Sequence, residues 1–304
     1  MSAKPIVAQE VNASKMKSTH YSLVFMLAIA LLASCHHDAA IQPEPPVERV
    51  PTAFQGVKTV SLAGVSVEVV IDKPALPKVD VLLLFHGTVM YDSLILGAAQ
   101  NTLEAFKRIT DRSDLMFVSV AYPEQNLLMG DNLLHAEAAL LWVKNAAESE
   151  LGVEIGKIFL AGHSQGGYLA VRLNHLYETD GVVANAPGPL NLLYRCDLEE
   201  RGVLPSGMAC TLIRNTFGPT TTHPWAYHSR SLLAFTAIQK SPLLLVQGMN
   251  DSPIQMQNWP TFKQQLAACT ACDSVQVLEL LQAGHGALFE RAEARPVYNG
   301  FLGR

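Results

Sequence analysis

The sequence predicts an α/β fold, with a mostly parallel central sheet, helices on both faces and a long inserted lid. Three observations predict it. Short continuous apolar runs recur, among them "VLLLF", "LMFVSVA", "GVVA" and "PLLLV"; such runs suit strands buried on both faces. From Val81 onwards they alternate with stretches at helical spacing, the pattern of crossovers between parallel strands. In "KIFLAGHSQGGYLAV", Lys157 to Val171, a serine sits between glycines where a strand ends and a helix begins. A chain of 304 residues, 49% hydrophobic and 16% charged, is long enough to bury one large core. Its net charge of -5 gives no basis for nucleic-acid binding, and no fixed-period repeat is visible.

The amino-terminal region reads as separate from this fold. Lys15 and Lys17 precede the apolar run "YSLVFMLAIALL", Tyr21 to Leu32. Its length suits the apolar segment of a signal peptide and is short for a membrane-spanning helix. Met16 offers an alternative start to Met1. The run ends in Leu32, Ala33, Ser34 and Cys35, which resemble a bacterial lipobox. That resemblance implies that residues 1–34 are removed and that Cys35 becomes a lipidated amino terminus. The protein is then exported and anchored to the cell envelope. His36 after the cysteine points to the outer membrane where the host has one. Residues 35–52 are proline-rich without periodicity and read as a tether, leaving 53–304 as the folded domain.

Along that domain, "VKTVSLAGVSVEVVID" (Val57 to Asp72) alternates around Ala63-Gly64 and reads as an antiparallel hairpin. "VDVLLLFHG" and "DLMFVSVAYP" follow as buried strands. In "NLLHAEAALLWVKNAAESE", Leu133, Ala136, Leu140 and Val143 form one helical stripe. "KIFLAG" is a strand and "GGYLAVRLNHLY" a helix; "GVVANAP", "SPLLLVQG" and "SVQVLELL" are further strands. A helix is expected in "IQMQNWPTFKQQLAA", with Pro260 either starting or kinking it. Asp80 is read as preceding its strand. The stretch from about 188 to 240 lacks strand signals and is long for a loop, so it reads as a lid with its own helices.

Five cysteines are an odd count for an oxidising compartment. Assigning Cys35 to lipid leaves Cys196, Cys210, Cys269 and Cys272. Proximity pairs Cys196 with Cys210 and Cys269 with Cys272, as disulfides suited to export. Four free buried thiols are the alternative. One CxxC does not make a zinc site, and "CTAC" does not open a helix after a strand as a redox pair does.

The serine between glycines is Ser164, in Gly162-His163-Ser164-Gln165-Gly166. A strand-to-helix turn this tight strains the serine backbone and needs small neighbours, so that strand and helix can approach. It lifts the hydroxyl to the start of a helix, whose dipole favours negative charge. A serine nucleophile needs a base, and the base an orienting acid; both belong at the carboxyl ends of strands. Asp80 and Asp180 sit at strand entrances, and Asn185 is no acid. Asp251 lies just beyond "PLLLVQG", and His285 just beyond the last strand. The other histidines have plainer readings: His86 in a structural turn, His163 packed beneath the serine turn, His175 on a helix face, His223 and His228 exposed on the lid. The oxyanion donors expected are the backbone N–H groups of Gln165 and Thr88, with Gly87 permitting close approach. No phosphate loop, dinucleotide fingerprint or metal-ligand cluster is present in the sequence, so no cofactor is expected.

The "GHSQGG" turn and the "SPLLLVQGMNDSPI…AGHGALF" end resemble the α/β-hydrolase superfamily, in particular the catalytic domain of prolyl oligopeptidases and related secreted esterases. The resemblance covers roughly Val57 to Leu302. It implies Ser164 as nucleophile, Asp251 as acid and His285 as base, in the order usual for that sheet. Prolyl oligopeptidases carry a large propeller ahead of the catalytic domain, whereas only a tether and a hairpin precede it here. The expected substrate is therefore a small carboxylic ester, with a short peptide as the alternative and a non-catalytic envelope lipoprotein as the second alternative. Tyr194, Phe217 and Trp225 are read as lining an acyl or alcohol pocket or, as the plainer alternative for any one of them, as the lid's own small core. Arg195 or Arg214 would serve a charged peptide terminus.

Overall fold

The computed structural model describes residues 50–62, 64–89, 91–123 and 131–303. The signal peptide, Cys35 and nearly all of the tether lie outside them. Two strands, β1 (Phe54–Leu62) and β2 (Val65–Lys73), form the hairpin, with Val60 opposite Val67 and Leu62 opposite Val65. Gly64 turns the chain at φ +83°, a left-handed conformation in which glycine has no Cβ to clash.

Six further strands complete one sheet: β3 (Lys78–Phe85), β4 (Leu115–Ala121), β5 (Glu154–His163), β6 (Gly181–Asn185), β7 (Leu243–Gly248) and β8 (Val275–Leu280). Their spatial order is β1-β2-β4-β3-β5-β6-β7-β8. Pairing is parallel from β4 through to β8 and antiparallel where β2 meets β4. Every residue of β4, β6 and β7 is buried, which is why these strands read as unbroken apolar runs.

The pleat splits each strand between two cores. Val81, Leu83 and Phe85 of β3 face one, and Leu82 and Leu84 the other. The first core is covered by α2 (Asp131–Asn145), α4 (Gln165–Leu176) and α8 (Pro253–Ala267) through Trp142, Tyr168, Trp259 and Phe262. The second is covered by α1 (Ile95–Ile109) and α10 (Ala294–Leu302) through Phe106, Tyr298 and Phe301. Ala136, Leu140 and Val143 of the α2 stripe are buried, and Leu133 partly so. Short α3 (Ala147–Leu151) and α9 (Ala287–Glu290) lead into β5 and α10. The start of α8 is Pro253, at a position where its missing N–H costs nothing; Pro260 lies inside the helix.

Between β6 and β7 the chain forms α5 (Leu192–Glu200), α6 (Met208–Phe217), α7 (Pro224–His228) and a 3-10 turn (Leu232–Phe235). Cys196 of α5 and Cys210 of α6 stand at disulfide distance, as do Cys269 and Cys272 after α8. Ile213, Ala226, Tyr227 and Leu232 continue the first core into this segment. Asp80 differs from expectation: it is the third residue of β3. Its carboxylate accepts Lys157 N at 2.7 Å and Arg112 Nη2 at 2.5 Å, which ties the strand entrances together. Among the described residues, no helix is long and apolar enough to cross a membrane.

Candidate active site

β5 ends at His163, α4 begins at Gln165, and Ser164 between them adopts φ 58°, ψ -119°. Few side chains tolerate such a backbone, and it persists only where the surroundings enforce it. Here they do. A Cβ on Gly166 would overlap the carbonyl of Phe85, and one on Gly162 would overlap the backbone of Gly166. The strand ends and the helix start thus touch backbone to backbone. Ser164 N donates to Asn185 O at 2.9 Å, and Ser164 O accepts from Tyr168 N at 3.0 Å and Gly188 N at 3.2 Å.

Asp251 and His285 come from adjacent loops after β7 and β8. These loops are joined by Met249 N to Leu280 O at 3.0 Å and Asn250 N to Ala283 O at 2.9 Å. The structure brings the three expected residues together. His285 Nε2 lies 2.9 Å from Ser164 Oγ, and His285 Nδ1 lies 2.8 Å from Asp251 Oδ2. The carboxylate side chain is 3% exposed and the imidazole 47%, so one end of the chain is dry and the other opens to a cleft. Burial pushes the Asp251 carboxyl up, but hydrogen bonds from His285, Gln247 Nε2 (3.0 Å) and Ser252 N (2.6 Å) outweigh it. They hold it below its ordinary value, and it stays an anion.

Two buried glutamines extend this network. Gln255 Nε2 donates to Gln247 Oε1 at 3.1 Å and to Pro187 O at 3.0 Å. That fixes the Gln247 amide so that its nitrogen faces Asp251. Sequence reasoning passed over Gln247; its one signal is a polar residue closing an apolar strand run, "LLLVQG".

His163 lies edge-on to His285, with centroids 4.8 Å apart. Asn185 Nδ2 is 2.9 Å from its Nδ1, so Nδ1 accepts and the proton sits on Nε2. Burial, and then the neighbouring His285, push the His163 imidazole down to about 4. Asn185 Oδ1 accepts Leu288 N at 3.1 Å: the position rejected as an acid clamps the serine turn to α9. His86 stacks on Tyr122 at 3.9 Å and 8° between planes. Its Nδ1 lies 2.7 Å from Gly87 O, and burial lowers its pKa. That stack seats the loop carrying Thr88, whose Oγ1 donates to Gln165 Oε1 at 2.7 Å. Among the described residues, neither Thr88 N nor Gln165 N donates a hydrogen bond.

Thr88, Gln165, Ser164, Asp251 and His285 line one cleft of about 650 Å³. Its far wall comes from the β6–β7 segment, through Pro189, Leu192, Arg195, Met208 and Ala209. Tyr194, Phe217 and Trp225, expected to line this pocket, do not. Phe217 and Trp225 pack edge to face at 5.5 Å, and Tyr194 lines a separate cleft with Asn191 and Thr220. Aromatic content marked the segment, but which helix face turned to Ser164 was not readable. Arg214 is absent from the cleft wall, as are His175, His223 and His228. A hydroxyl, a base within hydrogen-bond reach and a buried acid orienting that base are the parts of nucleophilic acyl transfer. Among the described residues, no group of three His, Cys, Asp or Glu side chains is arranged to hold a metal.

A family model described as the alpha/beta hydrolase fold matches residues 82–288. No curated protein sequence matches the chain. Among solved structures, a fungal esterase of Rhizomucor miehei is similar at a TM-score of 0.60 and 17% identity, covering 84% of this chain and 83% of its own. An esterase of Pyrococcus furiosus matches at 0.58 and 15%, covering 83% and 91%. An acylaminoacyl peptidase of Pyrococcus horikoshii matches at 0.59 and 15%, covering 83% of this chain. This chain spans only 42% of that peptidase. At these identities the likeness is one of fold.

Proposed function

The chain belongs to the α/β-hydrolase family, and from that premise we propose that it is a serine hydrolase of carboxylic esters working through an acyl-enzyme. Ser164 Oγ attacks the ester carbonyl while His285 Nε2 takes its proton. Asp251 accepts His285 Nδ1–H, which keeps the useful tautomer and offsets the positive imidazolium. The N–H groups of Gln165 and Thr88 receive the oxyanion, with the amino terminus of α4 behind Gln165. His285 then protonates the leaving alcohol, and water repeats the sequence on the acyl-enzyme. The observation that supports this reading is the unbroken chain Ser164–His285–Asp251, at 2.9 and 2.8 Å, opening on a cleft.

Fluorophosphonate labelling with peptide mapping tests it. Modification is expected at Ser164 and lost in Ser164→Ala; an unlabelled wild type would leave the non-catalytic alternative standing. The peptidase reading is favoured by the presence of Arg195 on the cleft wall. A short-chain nitrophenyl ester against aminoacyl anilides separates the two, with ester turnover expected to dominate. We also propose the Cys35 lipid anchor: Cys35→Ser is expected to move the protein from the membrane fraction to the soluble one.

A further inference from the structure

The cleft wall contributed by the β6–β7 segment is apolar apart from one side chain. Pro189, Leu192, Met208 and Ala209 line this wall together with Arg195. Its guanidinium is held from behind. Arg195 Nε donates to Glu199 Oε1 at 2.9 Å, and Glu199 Oε2 accepts Gly207 N at 2.7 Å. The Glu199 side chain is 3% exposed and that of Arg195 is 45% exposed. The buried partner therefore fixes the Nε edge of a side chain that stays half exposed and lines the cleft. Among the described residues, neither Nη group donates a hydrogen bond. Among the described residues the one carboxylate on the cleft wall is Asp251, already occupied by His285, Gln247 and Ser252 N. Among the described residues, no further anion lines the cleft to answer the Nη donors.

We propose that Arg195 is a specificity residue for a substrate carboxylate, so that the enzyme prefers esters carrying a free carboxylate beside an apolar chain. This rests on the serine hydrolase reading above. A guanidinium fork is matched to the two oxygens of a carboxylate in a plane. A cleft of about 650 Å³ is of the size that encloses one small molecule, so a substrate with its carbonyl at Ser164 spans to Arg195. The apolar residues on the same wall suit the intervening methylene or aryl part. A half-exposed guanidinium is screened by water, and the selectivity expected is about tenfold.

Two ester pairs read it, each differing in a single charge. Mono-4-nitrophenyl suberate against the matching suberamate places the carboxylate on the acyl side. 4-Butyryloxybenzoate against 4-butyryloxybenzamide places it on the alcohol side. The readout is the ratio of kcat/KM within a pair, in which any general loss cancels. Wild type is expected to favour the carboxylate of at least one pair about tenfold, with the preference shrinking at high salt. Arg195→Met is expected to bring that ratio to about one, and Arg195→Lys to keep part of it. The double variant Arg195→Met/Glu199→Gln avoids stranding a buried carboxylate and is expected to behave as Arg195→Met does. A ratio near one in the wild type for both pairs, or a preference that survives Arg195→Met and the double variant, overturns the inference while leaving the hydrolase intact. Turnover of no ester at all overturns the proposed function and this inference with it.

Discussion

The two walls of the cleft are built by opposite means. The sheet wall, with Ser164, Asp251 and His285, is made of backbone contacts that leave no free volume: Gly162 and Gly166 touch neighbouring main chain, and Gly248 abuts the carbonyl of Gly284. The β6–β7 wall is made of helices packed through side chains, closed by Cys196 and Cys210, with Met208 left 54% exposed. Backbone contact fixes positions to a fraction of an ångström, which bond-making demands. Side-chain packing leaves each residue replaceable, which selection among substrates can use. On the proposed reading, the first wall carries the chemistry and the second the choice of substrate.

Substitutions at matched small and large positions break this contrast most directly. Gly166→Ala forces a methyl into the Phe85 carbonyl. It is expected to cost about 3 kcal/mol or more and to abolish the proposed hydrolase activity. Met208→Ala, on the facing wall, is expected to change stability by less than about 0.5 kcal/mol and to act on KM. Denaturant titration beside steady-state kinetics checks both. A folded, active Gly166→Ala protein would mean that the sheet wall yields as the other does.

Removal of one cross-link comes next. Cys196 and Cys210 are 14 residues apart, and opening a loop of that size is expected to cost about 3 kcal/mol in the chain-entropy account. Cys269 and Cys272, three apart, close a much shorter loop, and their loss is expected to cost less. The Cys196→Ser/Cys210→Ser protein should raise KM while Ser164 keeps its fluorophosphonate reactivity. Loss of that reactivity would couple the walls that the contrast separates.

Buried strands and the serine turn were legible because their constraints are local. An apolar run needs two covered faces, and the serine turn needs positions without a Cβ two residues before and after Ser164, at Gly162 and Gly166. Pairing order was not legible, since β4 sits between β2 and β3 through contacts distant in sequence. α1 and α10 went unread although Ala99, Leu103 and Phe106, and Ala294, Tyr298 and Phe301, are spaced as amphipathic stripes. Asp251 and His285 followed from strand ends. Gln247 did not, because its role exists only when Gln255 and Pro187 are folded against it. The facing wall is legible as helical, but composition does not say which of its faces turns inward: of the two readings for its aromatics, Phe217 and Trp225 take the packing one.

Gln247 sharpens the contrast inside the sheet wall. It is buried and does not line the cleft, yet it donates to Asp251. Gln247→Leu removes one hydrogen bond from a buried carboxylate and is expected to lower kcat about tenfold to hundredfold, with KM little changed. Gln247→Glu should do worse, by setting a second carboxyl against the first. A change in KM alone would move Gln247 from positioning the acid to shaping the pocket.

The smallest expected effect separates two imidazoles in contact. His163 is held neutral in the native state, with its pKa moved from 6.5 to about 4, while the unfolded chain takes up a proton at the ordinary value. The native state therefore loses stability as pH falls from about 6.5, and the loss is complete near pH 4. Asp251, whose folded value is lowered, also stabilises less in acid, but only below the ordinary carboxylate range. His163→Gln is expected to reduce the slope of the melting temperature between pH 6.5 and 4, to leave the part that His86, also lowered by burial, contributes, and to leave the more acidic fall in place. Under the proposed mechanism its hydrolysis rate should still drop on acidification, because a protonated His285 cannot accept the serine proton. Loss of that acid limb in His163→Gln would make His163 the group whose proton controls the rate, and the geometry at 2.9 Å between His285 and Ser164 would no longer suffice to name the base.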